Sequence, residues 1–199
     1  MQRTRRVDAE KAEIAVLDLL HALGFDLPLR DGMQDTPRRV VRAWQEFLDY
    51  DPGKIETVFE TTRADQMIVV SGLRLWSFCE HHLLPFWCDA SVGYIPTSGD
   101  GSSNRVLGLS KFARIAQLAA HKLQLQERLV GDISDMVKKA TGSEDVGVVA
   151  AGRHLCLEMR GVRTPGLMVT SELHGAFRTN PQTRAEFLSL AYKASRADV

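Results

Sequence analysis

The sequence predicts an α+β fold with an antiparallel sheet, and three observations carry that expectation. Strand-like segments come in runs, a pair of helical patterns separates those runs, and two more helical patterns precede them. Strict strand-helix alternation would have meant parallel units, whereas clustered strands form an antiparallel layer with helices packed on it.

Each element can be justified in order. Residues 8–23 space Ile14, Leu17, Leu20 and His21 at helical intervals and stop at Gly24, as an amphipathic helix should. In Asp35-Thr36-Pro37 a capping side chain precedes a proline at an early helical position. Val40, Val41, Trp44, Phe47 and Leu48 form the apolar stripe of this second helix, which Asp51-Pro52-Gly53 ends. From about residue 56 the period shortens, and 67–70, 73–78 and 87–95 read as strands, followed by a polar loop over 96–104. Two consecutive helices are expected over 108–122 and 126–140, the first with Leu109, Phe112, Ile115, Ala116 and Ala119 on one face. Strands return at 146–151, 154–159 and 167–177, and Asn180-Pro181 opens a last helix through Phe187, Leu188 and Leu190.

A length of 199 residues favours one domain over 1–199, with a helical part at 1–55 and the core at 56–199. A sheet of so few strands leaves open edges, so oligomerisation is expected. The 25 basic and 25 acidic residues cancel, and nothing global calls for nucleic acid or membrane. Binding of an anionic substrate must come from a local basic cluster. The first six residues are basic, but Asp8, Glu10, Lys11 and Glu13 follow where a secretory signal needs an apolar stretch. No run approaches the roughly eighteen apolar residues of a membrane span. An odd count of three cysteines suits a reducing compartment, and a cytoplasmic location is expected.

Cys79-Glu80-His81-His82 sets a thiolate and an imidazole two intervening residues apart, and His154-Leu155-Cys156 offers a second thiolate. Two Cys and one His make a catalytic zinc set that leaves the fourth tetrahedral position for water. The plainer alternative is that Cys79 and Cys156 are small core residues and the histidines lie on a surface turn. Against it stands the pairing of each cysteine with an additional imidazole. Cys88, inside the strand-like 87–92, is expected only to pack. Zinc can lower the pKa of bound water from about 15.7 to about 7, and spare imidazoles titrating near about 6.5 can move protons.

Gly108-Leu109-Ser110-Lys111, with Arg114, puts two cations in the first turn of a helix, where the macrodipole favours negative charge. That placement makes sense if an anion binds the free N–H groups and the Ser110 hydroxyl, and is otherwise a solvated pair of cations. Arg160 and Arg163 could add guanidinium forks. Glu127 suits a helix start, and its carboxylate can also accept from the ring N–H and exocyclic amine of guanine.

Together these segments closely resemble GTP cyclohydrolase I. The matching stretches are Cys79 to Phe86, Gly108 to Lys111, Gln124 to Leu129, and His154-Leu155-Cys156 running into Met159-Arg160-Gly161-Val162-Arg163. Asp35 to Val40, Phe177-Arg178-Thr179 and Thr183 to Leu188 also match. The resemblance implies the tunnelling (T-fold) architecture and a homodecamer of two pentamers with active sites shared between subunits. It implies that GTP and water give dihydroneopterin triphosphate and formate, the entry step to folate-type pterins. Zn2+ would be held by Cys79, His82 and Cys156, while His81 and His154 handle protons around the imidazole ring of the substrate. Hydroxide would attack carbon 8, formate would leave, and the ribose would rearrange before the pterin ring closes. Gln126 and Glu127 would grip guanine. Lys111, Arg114, Arg160 and, from a neighbouring subunit, Arg39 would hold the triphosphate, with Ser110 near the ribose and phosphates.

Two departures from the family pattern are visible: a longer polar loop over 97–105, and His174 in the last strand. The N-terminus is short beside some animal relatives. Other T-fold enzymes place three histidines on zinc or use a cysteine nucleophile without metal, and the Cys79, His82, Cys156 set argues against both. A zinc-stabilised binding module would leave His81, His154 and Glu127 without roles.

Overall fold

The computed structural model describes residues 7–55, 57–61, 66–97 and 104–194. The chain divides into two compact units, Met1–Tyr50 and Asp51–Val199.

In the first unit, helix α1 (Ala9–Ala22) starts where the Asp8 carboxylate accepts from the Lys11 N–H at 3.1 Å, and Gly24 follows it at φ 89°. Helix α2 (Thr36–Leu48) carries Pro37 in its first turn and buries Val41. Its Asp35 makes no side-chain cap, contrary to expectation. The carboxylate pairs instead with Arg38 at 3.2 Å and Arg39 at 3.7 Å, because two guanidinium ions compete for it with the main-chain donors.

The second unit is built on a five-stranded sheet of order β5-β2-β3-β6-β7. Strands β2 (Ile68–Cys79), β3 (Pro85–Tyr94), β6 (Val146–His154) and β7 (Met168–Leu173) pair antiparallel, and the two-residue β5 (Leu123–Gln124) runs parallel to β2. A separate ribbon joins β1 (Val58–Thr61) to β4 (Asn104–Leu107). Helices α3 (Leu109–Ala120) and α4 (Gln126–Thr141) cover one face of the sheet. There Leu75, Val92, Val148 and Ala150 meet Phe112, Ile115, Leu129, Ile133 and Val137. Burying each such side chain contributes about 1.5–3 kcal/mol.

On the opposite face Phe177 and Phe187 close a smaller core with Ala191, carried by helices α6 (Ala176–Thr179) and α7 (Pro181–Ala194). Gly93 and Gly147, partners across β3 and β6, admit these rings: an added Cβ would lie 2.9 Å from Phe187 at Gly93 and 2.6 Å from Phe177 at Gly147.

Several expected boundaries move, and each for a pairing reason. Segments 67–70 and 73–78 are one strand, interrupted by a bulge between Val70 and Leu73 at Gly72, φ 73°. The expected strand 154–159 is instead the end of β6 followed by one helical turn, α5 (Leu155–Glu158). The antiparallel ladder of β6 with β3 runs out at the pair Phe86 and His154, so the chain beyond has no strand to bond. Strand 167–177 likewise stops at Leu173, paired with Gly147, and Gly175 at φ 52° turns the chain into α6. His174 lies just past β7 and sits 3.0 Å from Glu172. Strands β1, β4 and β5 had no strand signal of their own. Most of the longer loop expected at 97–105, like the basic first six residues, lies outside the described residues. Among the described residues no helix is long and apolar enough to cross a membrane.

Candidate metal centre and active site

The metal centre begins where β2 ends. Cys79 is its last residue and is buried. The connection to β3 folds back on it: the Leu83 N–H donates to the Cys79 carbonyl and the Cys79 N–H to the Leu84 carbonyl, both at 2.9 Å. Leu83 takes φ 56° to close the turn, which presents His81 and His82 on the surface. Arg128 from α4 grips the Glu80 carboxylate through two bonds of 2.6 and 3.2 Å, holding it below its usual pKa and tying the turn to the helix.

Cys156 arrives from the other side of β3, on the α5 turn that starts where β6 loses its partner. The ligand atoms of Cys79, His82 and Cys156 all lie within 4.8 Å of one another. The His82 Nδ1 is 3.9 Å from the Cys79 Sγ, and so is the His81 Nδ1. Tetrahedral zinc with Zn–S near 2.3 Å and Zn–N near 2.0–2.1 Å sets its ligands about 3.5–3.8 Å apart, so the Cys79–His82 pair already stands near that spacing and the whole donor set closes on the ion with separations shortened by about 1 Å at most. Burial pushes the Cys156 thiol up, and the adjacent Cys79 raises it further. A divalent cation between the two sulfurs is the charge that relieves that opposition. Cys88 faces none of this: it is fully buried, and burial pushes its thiol up to about 12.

His154, the last residue of β6, stands two positions before Cys156. Its ring stacks on Phe86, with centroids 4.5 Å apart and planes 8° from parallel. Its Nε2 lies 2.9 Å from the Oε1 of Gln126. Desolvation lowers the His154 pKa, while the carboxylates of Glu127 and Glu158 act in the other direction. Gln126 is fully buried at the start of α4, and its amide nitrogen is within bonding distance of the Ala150 and Met168 carbonyls and the Thr170 hydroxyl. Glu127, one residue on, is exposed in the first turn of the same helix.

The expected anion-binding residues fall into separate places. The Arg160 guanidinium donates to the His82 Nε2 at 3.0 Å, at the edge of the metal group. Lys111 Nζ donates to the Lys54 carbonyl at 2.7 Å and Arg114 Nη1 to the same oxygen at 3.5 Å, with Ser110 exposed at the start of α3. Arg163 is exposed at φ 51°. Arg39 is exposed on α2, in the first unit. Phe86 and Arg128, which shape the site, lay inside stretches that match the family pattern but were given no role, since neither an aromatic beside a proline nor an arginine in a helix signals chemistry by its type alone.

Two thiols and an imidazole brought together at one end of an antiparallel sheet, with a hydrogen-bonded imidazole and an exposed carboxylate alongside, define a zinc-dependent enzyme. The particular family follows from the sequence over nearly its whole length. The chain belongs to the GTP cyclohydrolase I family, whose model matches residues 12–192, and its α+β architecture is the T-fold of that family. A GTP cyclohydrolase 1 from Thermoanaerobacter pseudethanolicus is 44% identical over 188 residues, covering 92% of this chain and 97% of that one. Another from Mycolicibacterium vanbaalenii is 44% identical over 191 residues, covering 94% and 92%. Among solved structures, an archaeosine synthase QueF-Like in the apo form is similar with a TM-score of 0.41 and 19% identity, over 56% of this chain and 96% of that one.

Proposed function

We propose that this chain hydrolyses and rearranges GTP to 7,8-dihydroneopterin triphosphate with release of formate, the entry step to folate-type pterins. The observation that carries the reading is the Cys79, His82, Cys156 donor set, closed to within 4.8 Å and flanked by His154, in a chain of this family. Those three residues hold the zinc ion, which when bound supplies Lewis acidity and a water that is nucleophilic at neutral pH.

The chain's own residues bind, orient and move protons. His154, half-buried, exchanges a proton with the purine imidazole ring as it opens, and His81 serves the same ring from the β2–β3 turn. Glu127 accepts from the ring N–H and the exocyclic amine of guanine, a paired pattern adenine does not present. Gln126 lies beside it with its side chain engaged by the Ala150 and Met168 carbonyls and by His154, so its part in gripping guanine is to fix the start of α4 from which Glu127 projects. Lys111, Arg114 and Arg160 hold the triphosphate, with Ser110 near the ribose and Arg39 supplied by a neighbouring subunit. Lysine has three donors, so the Lys54 carbonyl and a phosphate oxygen can share Lys111.

The assembly in this reading is a homodecamer of two pentamers in the cytoplasm, with both units of each chain acting as one domain. Among the described residues no strand pairs with the outer edges of β5 and β7, which supports association, since open edges seek a strand. The test is to incubate purified, zinc-loaded protein with GTP and measure formate together with a fluorescent pterin after oxidation. Both should appear in equal amount; release of guanine or phosphate without formate would overturn the reading.

A further inference from the structure

An imidazole offers two nitrogens, and which one carries the hydrogen is set by the partner of the other. At His154 the partner can be identified by following hydrogen bonds inward. The Ala150 and Met168 carbonyl oxygens lie 3.1 and 2.9 Å from one terminal atom of the Gln126 amide. Carbonyls only accept, so that atom is the NH₂ group and the amide cannot be turned over without setting oxygen against oxygen. Its Oε1 therefore faces the His154 Nε2 at 2.9 Å. An amide oxygen also only accepts, so the hydrogen of neutral His154 is on Nε2 and Nδ1 is left bare.

Two further features hold this arrangement. Gly152 lies two residues before His154 on β6, and a Cβ there would stand 2.6 Å from the Gln126 Oε1, so the strand passes the amide at a distance that glycine allows. Phe86 fixes the plane of the ring by stacking on it. The amide is fully buried, where a lost partner is costly, so the chain of bonds has few alternatives.

We infer that Gln126 is a positioning residue for His154: its side chain, anchored on the Ala150 and Met168 carbonyls, holds the imidazole in place through its Nε2 and in the Nε2–H tautomer, with no hydrogen on Nδ1. The inference rests on the proposed reaction for its kinetic consequence. The tautomer itself can be read without any turnover.

The first measurement is the ¹⁵N spectrum of the histidine side chains in the zinc-loaded protein above the imidazole range, with His154 identified by the signals missing from His154→Ala. A protonated-type Nε2 and a bare Nδ1 are expected; a hydrogen on Nδ1, or an averaged pair of signals, overturns the inference. The second is a double-mutant cycle. Gln126→Met should lower kcat about tenfold or more while leaving the KM for GTP within about threefold and the zinc content unchanged. In a His154→Ala background the same substitution should change kcat by less than about twofold, since a residue acting through His154 has nothing left to position. A rise in KM with kcat preserved would make the Gln126 side chain a guanine contact, and equal losses in both backgrounds would make it structural; either sinks the assignment. Should Gln126→Met fail to assemble, the spectrum of the unsubstituted protein decides alone. A chain that shows the Nε2–H tautomer but releases no formate from GTP would refute the proposed reaction and leave the tautomer assignment standing.

Discussion

The ring of His154 lies flat against the ring of Phe86, centroids 4.5 Å apart and planes 8° from parallel, because β3 and β6 pair these two residues directly at the end of their ladder. Phe86 thereby belongs both to the core, where it is 1% exposed, and to the proton-handling group. Phe86→Leu should cost roughly 1–3 kcal/mol in stability. It should also lower turnover of GTP about tenfold with zinc retained, as a loosened imidazole samples unproductive planes. Thermal unfolding and steady-state kinetics on the same preparation separate the two effects; unimpaired turnover would reduce the stack to packing.

His154 is placed outside the metal donor set, with Gln126 on one nitrogen. His154→Ala should keep about one zinc per chain and cut turnover by roughly a hundredfold or more. Metal analysis beside a formate assay checks this, and loss of zinc would move His154 into the ligand set.

Cys156→Ala removes one of three protein ligands, so zinc content after dialysis should fall well below one per chain. Stripping the wild type with a chelator should lower its melting temperature, because an ion present at a hundred times its Kd stabilises the folded state by about 2.7 kcal/mol. A melting curve indifferent to chelator would mean that the three donors hold no ion.

Thiol labelling near pH 8 offers a test without activity. In the zinc-loaded protein all three cysteines should resist a thiol reagent. After chelation, half-buried Cys156 should react first and buried Cys79 more slowly. Cys88, with its thiol pushed up to about 12 and fully buried, should react only on unfolding. A third fast thiol in the folded, chelated protein would contradict this placement.

Specificity should divide between two helix starts. Glu127→Gln replaces an acceptor oxygen of the carboxylate by a donor and should raise the KM for GTP at least tenfold. Lys111→Ala should instead weaken the preference for GTP over GDP and guanosine. A Lys111 variant with its triphosphate preference intact would leave Lys111 as a latch on the Lys54 carbonyl and no more.

Much of this was legible in the residues themselves. Apolar stripes placed α2, α3 and α4 within a few residues, since 3.6-residue periodicity is a local property of the chain. Cys79, His82 and Cys156 stood out because few side chains bind a soft divalent ion, and the structure brings their donor atoms together. Glu127 is exposed at a helix start, where a carboxylate is favoured by the helix dipole whether or not it meets a base.

Where β6 ends, and which side chain answers which, belonged to the tertiary structure. His154 to Met159 alternates like a strand, yet a strand persists only as far as its neighbour runs, and β3 begins at Pro85. The resulting turn at α5 carries Cys156 to Cys79 across the whole intervening strand. The same holds for Gln126: the sequence places it at a helix start and the resemblance gives it to guanine, but β6 and β7 close over it and engage its amide with two carbonyls and an imidazole. Residue type determines what a side chain can bond; only the packing of segments distant in sequence determines which partners are within reach, because a hydrogen bond or a metal ligand is made over a few ångströms of space and not along the chain.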